Sequence, residues 1–159
     1  MTTTTQGRTE LPEPIAYGAA TYVIGRMTFA MSPGAPTNDP DGTTHFRDVR
    51  VTGTATSADP RLTGTVEGVW NGDAWGSSLA DGALIQWGTS TITTEEGTWE
   101  GTQTGGYTTE TSDQIIWWYI GTGAYEGLSM LMWITESDTY GLGDHAIYGL
   151  IFPGTPPTP

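Results

Sequence analysis

Cysteine is absent from the 159 residues, so a disulfide, a thiolate nucleophile and a thiolate metal site are all excluded. Lysine is absent too, which removes Schiff-base chemistry and any amine base of lowered pKa. The only fixed cations are five arginines, set against 18 acidic residues for a net charge of −13. No basic face can therefore neutralise phosphate, and nucleic-acid binding is excluded. An anionic membrane surface repels such a chain. The acidity reads as a device for solubility. No apolar run approaches transmembrane length. The opening MTTTTQGRTELPEP lacks the apolar stretch of a secretory signal, so a cytoplasmic location is the expectation. Ala-, Leu-, Glu- and Lys-rich stretches that would mark helices are missing. So are the G-x-S-x-G elbow, the P-loop, H-E-x-x-H and an EF-hand loop.

What the chain does contain is β-forming and turn-forming. There are 23 Gly, 10 Pro, seven Trp and seven Tyr, and threonine is abundant. Eight β-type segments recur at roughly ten-residue spacing. They are 21–30, 46–56, 61–70, 83–93, 97–105, 113–121, 128–136 and 145–152. The stretches SADP, NGD, TEEG, GTGAYEG and YGLGD between them carry the residues that reversals require. Short, even connections favour up-and-down neighbours. The expected fold is all-β: a single antiparallel up-and-down eight-stranded barrel, which leaves no sheet edge exposed. A sandwich is the competing architecture. Residues 1–14 and the Pro-rich 154–159 read as disordered tails around a barrel domain at 15–153. Two connections are longer. Residues 31–45 are too polar and Pro-rich for a strand and read as a lid or a plain surface loop. Residues 71–82, with Trp75 and Leu79, read as a loop with room for a short helical turn.

Alternate residues of a strand face opposite sides. Gly53, Gly64, Gly68, Gly88, Gly101 and Gly105 share one parity, and glycine inside a strand marks bending or close approach. Taking that parity as inward gives a lining that includes Met27, Phe29, Val51, Val66, Trp70, Leu84, Gln86, Trp99, Gln103 and Ile115. It continues through Trp117, Tyr119, Leu128, Met130, Met132, Ile147 and Ile151. In the second to fifth segments the other parity is Thr, Arg, Asp and Glu, which suits solvent. IIWWYI and LSMLMWI are apolar on both faces, so Ile116, Trp118, Ile120, Leu131 and Trp133 form an outer patch. Such a patch marks an interface. The expectation is a homodimer or homotrimer through 113–121 and 128–136, the alternative being a wall covered by the chain's own tails.

Catalytic candidates are few. His45 and His145 each follow a turn and lack metal-ligand spacing, so no metal is expected. Glu95 and Glu96 lie in a turn and read as a solvated pair, and Glu67 and Glu100 lie mid-strand on the outward parity and read as surface acids, the alternative being general bases if the parity is inverted. What remains is an aromatic and Met-rich lining with a few amides and hydroxyls, which is how small-molecule sites are built. The same side chains can equally fill an eight-stranded barrel completely.

Residues 105–134, GGYTTETSDQIIWWYIGTGAYEGLSMLMWI, resemble the corresponding part of the allene oxide cyclase and dirigent-like barrel superfamily, in which a strand ends in a G-[ST]-G-x-[FY]-x-G turn. Gly121 to Gly127 fit that turn. The resemblance implies an eight-stranded, commonly oligomeric barrel that works without a cofactor and steers reactive, apolar molecules into one cyclised or coupled isomer. Similar bacterial barrels cyclise polyketides, some by intramolecular [4+2] cycloaddition. No catalytic residue carries over: the plant cyclases' glutamate and cysteine and the dirigent acids have no counterparts here. A pericyclic closure needs mainly a substrate held in a near-attack conformer and modest polarisation of a carbonyl. The function expected is thus a cofactor-free cyclase or isomerase for a linear, unsaturated, apolar substrate. The alternative is a lipocalin-like carrier that leaves its hydrophobic ligand unchanged. In either case Phe29, Trp70, Gln86, Trp99, Trp117, Met130 and Met132 shape the site, and for the enzyme Tyr119 and Gln103 are the hydrogen-bonding, catalytic candidates.

Overall fold

Alternation of apolar and small or polar residues carries the described residues through ten strands. In the computed structural model, residues 10–32, 34–76, 82–109, 113–135 and 145–155 are described. The strands are β1 (Ile15–Tyr17), β2 (Ala20–Met31), β3 (Thr37–Asn38), β4 (Thr44–Ser57), β5 (Gly64–Trp75), β6 (Ala83–Thr93), β7 (Gly97–Thr109), β8 (Asp113–Gly123), β9 (Leu128–Thr135) and β10 (His145–Pro153). Each of the eight long strands pairs antiparallel with its neighbours in chain order from β4 to β10, then β10 with β2. Pairing of β2 with β4, from Gly25↔Ser57 to Met31↔Val51, closes the barrel. The two-residue β3 and the three-residue β1 are short additions on β4 and β2. No α-helix occurs among the described residues, and no helix is long and apolar enough to cross a membrane.

The expected strand boundaries need three corrections. Residues 61–63 do not open a strand. Asp59 caps a 3-10 turn over Pro60–Leu62 by accepting from the Arg61 backbone N–H, with Pro60 at the first helical position. The NGD of 71–73 is no turn either. Asn71, Gly72 and Asp73 keep the alternation and extend β5 to Trp75, opposite Trp87, Gln86 and Ile85. Residues 77–81, including Leu79, lie outside the described residues, as does the YGLGD of 140–144. Third, the 31–45 connection holds strand structure: Thr37 and Asn38 pair with His45 and Thr44.

The inward parity is as the glycines indicate, with one exception. Gln103 and Gly106 of β7 face Gly88 and Gln86 of β6, so two residues of β7 oppose Trp87 alone. This β-bulge returns Gly106 to the interior and turns Gly105 outward, with φ of 125°. A second bulge in β4 sits between Phe46 and Val49.

The two ends of the barrel differ. At one, Leu62 enters from the 3-10 turn and joins Val23, Ile92, Trp99, Tyr125 and Ile151, all buried. The GTGAYEG turn supplies Tyr125. Gly123 and Gly127 take φ of 67° and 86°, and the reversal lays the Tyr125 ring on Trp99 with centroids 4.9 Å apart. At the other end the strands stay paired but the interior is not filled, and a cavity opens there.

Candidate ligand cavity

The cavity has a volume of about 260 Å³. It runs from Met31 and His145 at the mouth to Val66 and Tyr119 within. It exceeds the roughly 150 Å³ of an apolar cavity that takes benzene. Its wall is mainly apolar, and among the described lining residues there is no Asp, Glu, Lys or Arg. Glu67 and Glu100 project outward and are exposed.

Six of the nine site residues expected from the sequence line this cavity: Phe29, Trp70, Gln86, Gln103, Trp117 and Tyr119. Trp99, Met130 and Met132 do not. They point inward as expected, but they belong to the packed core. Trp99 is fully buried and its Nε1 donates to the Arg61 carbonyl at 2.7 Å. Parity along a strand gives the face of a residue but not its height in the barrel, so these three could not be separated from the cavity wall by alternation. Ser90 and Ile134 line the cavity without having been singled out, and so does His145, which the sequence offers only as a histidine without metal-ligand spacing. For Ile134 the signal was present, since it shares the parity of Met130 and Met132.

The polar groups of the wall divide into engaged and free. Gln86 is engaged at both ends of its amide: its Oε1 accepts from Trp70 Nε1 at 2.9 Å and its Nε2 donates to Thr108 Oγ1 at 3.2 Å. The Tyr119 hydroxyl lies 2.7 Å from Ser90 Oγ. Either hydroxyl can donate, so Tyr119 can direct its proton to a ligand while accepting from Ser90. Burial drives the Tyr119 phenol far above its ordinary pKa, with the Ser90 hydrogen bond opposing, so it stays protonated at neutral pH. Both amide atoms of Gln103, Nε1 of Trp117 and Nδ1 of His145 are buried without a protein partner. Such groups cost free energy unless something satisfies them.

Beside the mouth, an ionic cluster holds the 37–45 hairpin to β5. His45 Nδ1 lies 2.6 Å from Asp73 Oδ1 and Nε2 lies 3.0 Å from Asp39 Oδ2. Arg47 reaches Asp73 at 2.7 Å, donates to the Phe46 and Gly72 carbonyls and lies over the Trp87 ring. Hydrogen bonds to Asp39 and then to Asp73 raise the His45 pKa above its ordinary value. The sign follows from linkage. The contribution is fully present below the unfolded pKa of about 6.5 and is lost as pH rises through the higher folded value. Titration of the His45 ring protons by NMR is expected to give a pKa above 6.5, and Asp39→Asn to lower it. A wild-type value at or below the ordinary one would remove these two hydrogen bonds as the hold on His45.

Outside, the wall has two halves. On β4 to β7 the outward residues include Thr52, Thr54, Thr65, Glu67, Thr91 and Glu100. On β8 to β10 they are mainly apolar, Gln114 and Thr122 excepted, while β5 to β7 also expose Trp75, Ile85 and Tyr107. Ile116, Ile120, Trp133 and Leu150 are exposed, and Trp118, Leu131, Tyr148 and Phe152 are half-buried beside them. No protein-family model, curated protein or solved structure matches the chain.

Proposed function

We propose that the barrel receives a small, largely apolar molecule through its open end and holds it for cofactor-free cyclisation or isomerisation. The apolar cavity with unpaired polar atoms in its wall carries this reading. Apolar walls with a few oriented polar groups are the general form of small-molecule sites. Trp70, Trp117 and Phe29 offer rigid ring surfaces against which a flexible chain can fold. Gln103 and Trp117 can donate to a substrate carbonyl, with Tyr119 deeper in the wall. An intramolecular [4+2] closure asks for little more, because it forms and breaks bonds within one molecule and transfers no proton. The resemblance around the GTGAYEG turn leans the same way. The fold serves a lipocalin-like carrier equally well, and turnover separates the two. Titrating the protein with a linear trienone should quench Trp emission, and chromatography should then show a product of unchanged mass and single handedness. Quenching with the ligand recovered unchanged would leave the carrier. No quenching would remove both.

We further propose that the apolar half of the wall packs against a second copy of this chain. The described residues of β8 after Asp113, and all those of β9 and β10, include no Asp, Glu, Lys or Arg. Two copies, each carrying −13, can therefore meet there without placing like charges in contact. Sedimentation of the wild type should show a dimer or trimer, and Trp133→Glu should yield monomers. A wild-type monomer at micromolar concentration would exclude the assembly.

A further inference from the structure

Gln103 is the least compensated polar side chain of the cavity wall. It is 3% exposed, yet neither Oε1 nor Nε2 has a partner. Two of its neighbours on the sheet are glycines and bring no side chain to pair with it. Its cross-strand neighbour on β6 is Gly88, which contributes no side chain to the wall. After the bulge comes Gly106, where a Cβ would stand 2.7 Å from Gln103 Nε2. Only glycine leaves that amide its present place. On the other side Gln103 faces Trp117 of β8, whose Nε1 is also unpaired. Directly opposed residues of a sheet lie about 5 Å apart at Cβ, which puts the two unpaired side chains next to each other on the inner wall. The niche thus offers two kinds of donor, the indole N–H and the amide NH₂, and one acceptor, the amide oxygen.

We infer that this niche selects a ligand whose polar end is a neutral carboxamide or lactam. This rests on the ligand-binding reading above and narrows it. A C=O and an N–H side by side match a glutamine amide edge to edge, the carbonyl accepting and the N–H donating. A ketone satisfies the donors and leaves Gln103 Oε1 unpaired. A hydrocarbon satisfies neither. A carboxylate brings no proton for Oε1 and places a charge where no arginine lines the wall. Sites built around such pairs discriminate strongly, because the wrong ligand leaves buried groups unpaired.

The test compares four probes of one ring system: naphthamide, acetonaphthone, ethylnaphthalene and naphthoate. Dissociation constants are read from Trp quenching at neutral pH. Naphthamide is expected to bind about tenfold tighter than acetonaphthone, with ethylnaphthalene and naphthoate weaker still. In Gln103→Leu, naphthamide should fall to within about twofold of acetonaphthone, while ethylnaphthalene binds at least as well as before. Gln103→Met, closer in length, should behave the same and guards against misfolding of the leucine variant. Equal affinity of amide and ketone for the wild type would overturn the inference, as would an amide preference that survives both substitutions or tightest binding by naphthoate. Any of those results leaves the cavity standing as a ligand site. If none of the four, ethylnaphthalene included, alters Trp emission, the ligand-binding reading falls with it.

Discussion

Trp99→Ala is expected to cost about 3–5 kcal/mol and to lower the melting temperature by roughly 6–20 °C. Trp99 is fully buried at the closed end of the barrel. Its ring stacks on Tyr125 at 16° between planes, and its N–H is bonded to the Arg61 carbonyl. Truncation removes the largest side chain of that plug and leaves a cavity between two connections that converge on it, the 3-10 turn and the GTGAYEG turn. It also leaves the Arg61 carbonyl without its donor. That carbonyl belongs to a residue already fixed by a two-point ion pair, Nε to Asp59 Oδ1 at 3.0 Å and Nη2 to Asp59 Oδ2 at 2.6 Å. The turn therefore cannot easily swing in to fill the space. Trp99→Phe separates the contributions: it keeps a ring on Tyr125 and should recover all but about 1–2 kcal/mol. Urea denaturation of both variants measures this. A cost below about 1 kcal/mol for the alanine variant would show that the closed end collapses freely.

That Trp99 is a plug and not part of the cavity was beyond the reach of sequence pattern, and the reason is geometric. A period of two assigns each residue to a face. It read all eight long strands and the inward positions from Phe29 to Ile151. Height along the barrel depends on strand tilt and register, which neighbouring strands set jointly. Trp99 and Trp117 have the same parity and the same residue type, yet one closes the barrel and the other lines its cavity. The bulge at Thr104–Gly105 posed a different problem. One extra residue reverses parity, and Gly105 followed Gly101 and Gln103 in the pattern until the structure turned it outward. Pro60–Leu62 shows local chemistry prevailing over pattern: the Asp59 cap and Pro60 start a 3-10 turn in a stretch that otherwise alternates like a strand. His145 reads as a strand end, which it is. Only the pairing of β10 with β2 shows that this end rims the cavity, with His145 beside Phe29 at 5.2 Å between ring centroids.

The glycine parity leads to the second large effect, at the seam that closes the barrel. Gly53 of β4 lies opposite Phe29 of β2. A Cβ built there would stand 1.8 Å from the Thr28 carbonyl oxygen, 2.9 Å from its carbon and 3.3 Å from the Phe29 Cα. All three atoms are backbone, so no rotamer change relieves the contact and the two strands must move apart. Alanine in place of glycine ordinarily stabilises by about 0.4–1 kcal/mol through the unfolded chain. Here the overpacking term runs against it, and Gly53→Ala is expected to cost a net of about 3 kcal/mol, near the upper end for such insertions. The melting temperature should fall by roughly 6–12 °C. Thr52→Ala, one residue away and facing solvent, should change stability by less than about 0.5 kcal/mol. The seam also bears on the cavity, because Phe29, Met31 and Val51 line it from the two strands being separated. Gly53→Ala should therefore weaken binding of an apolar probe even at temperatures where the variant remains folded. A Gly53→Ala protein with wild-type melting temperature would mean that β2 and β4 do not approach each other this closely. One that melts early but binds normally would place the ligand away from the seam, against Trp70 and Trp117.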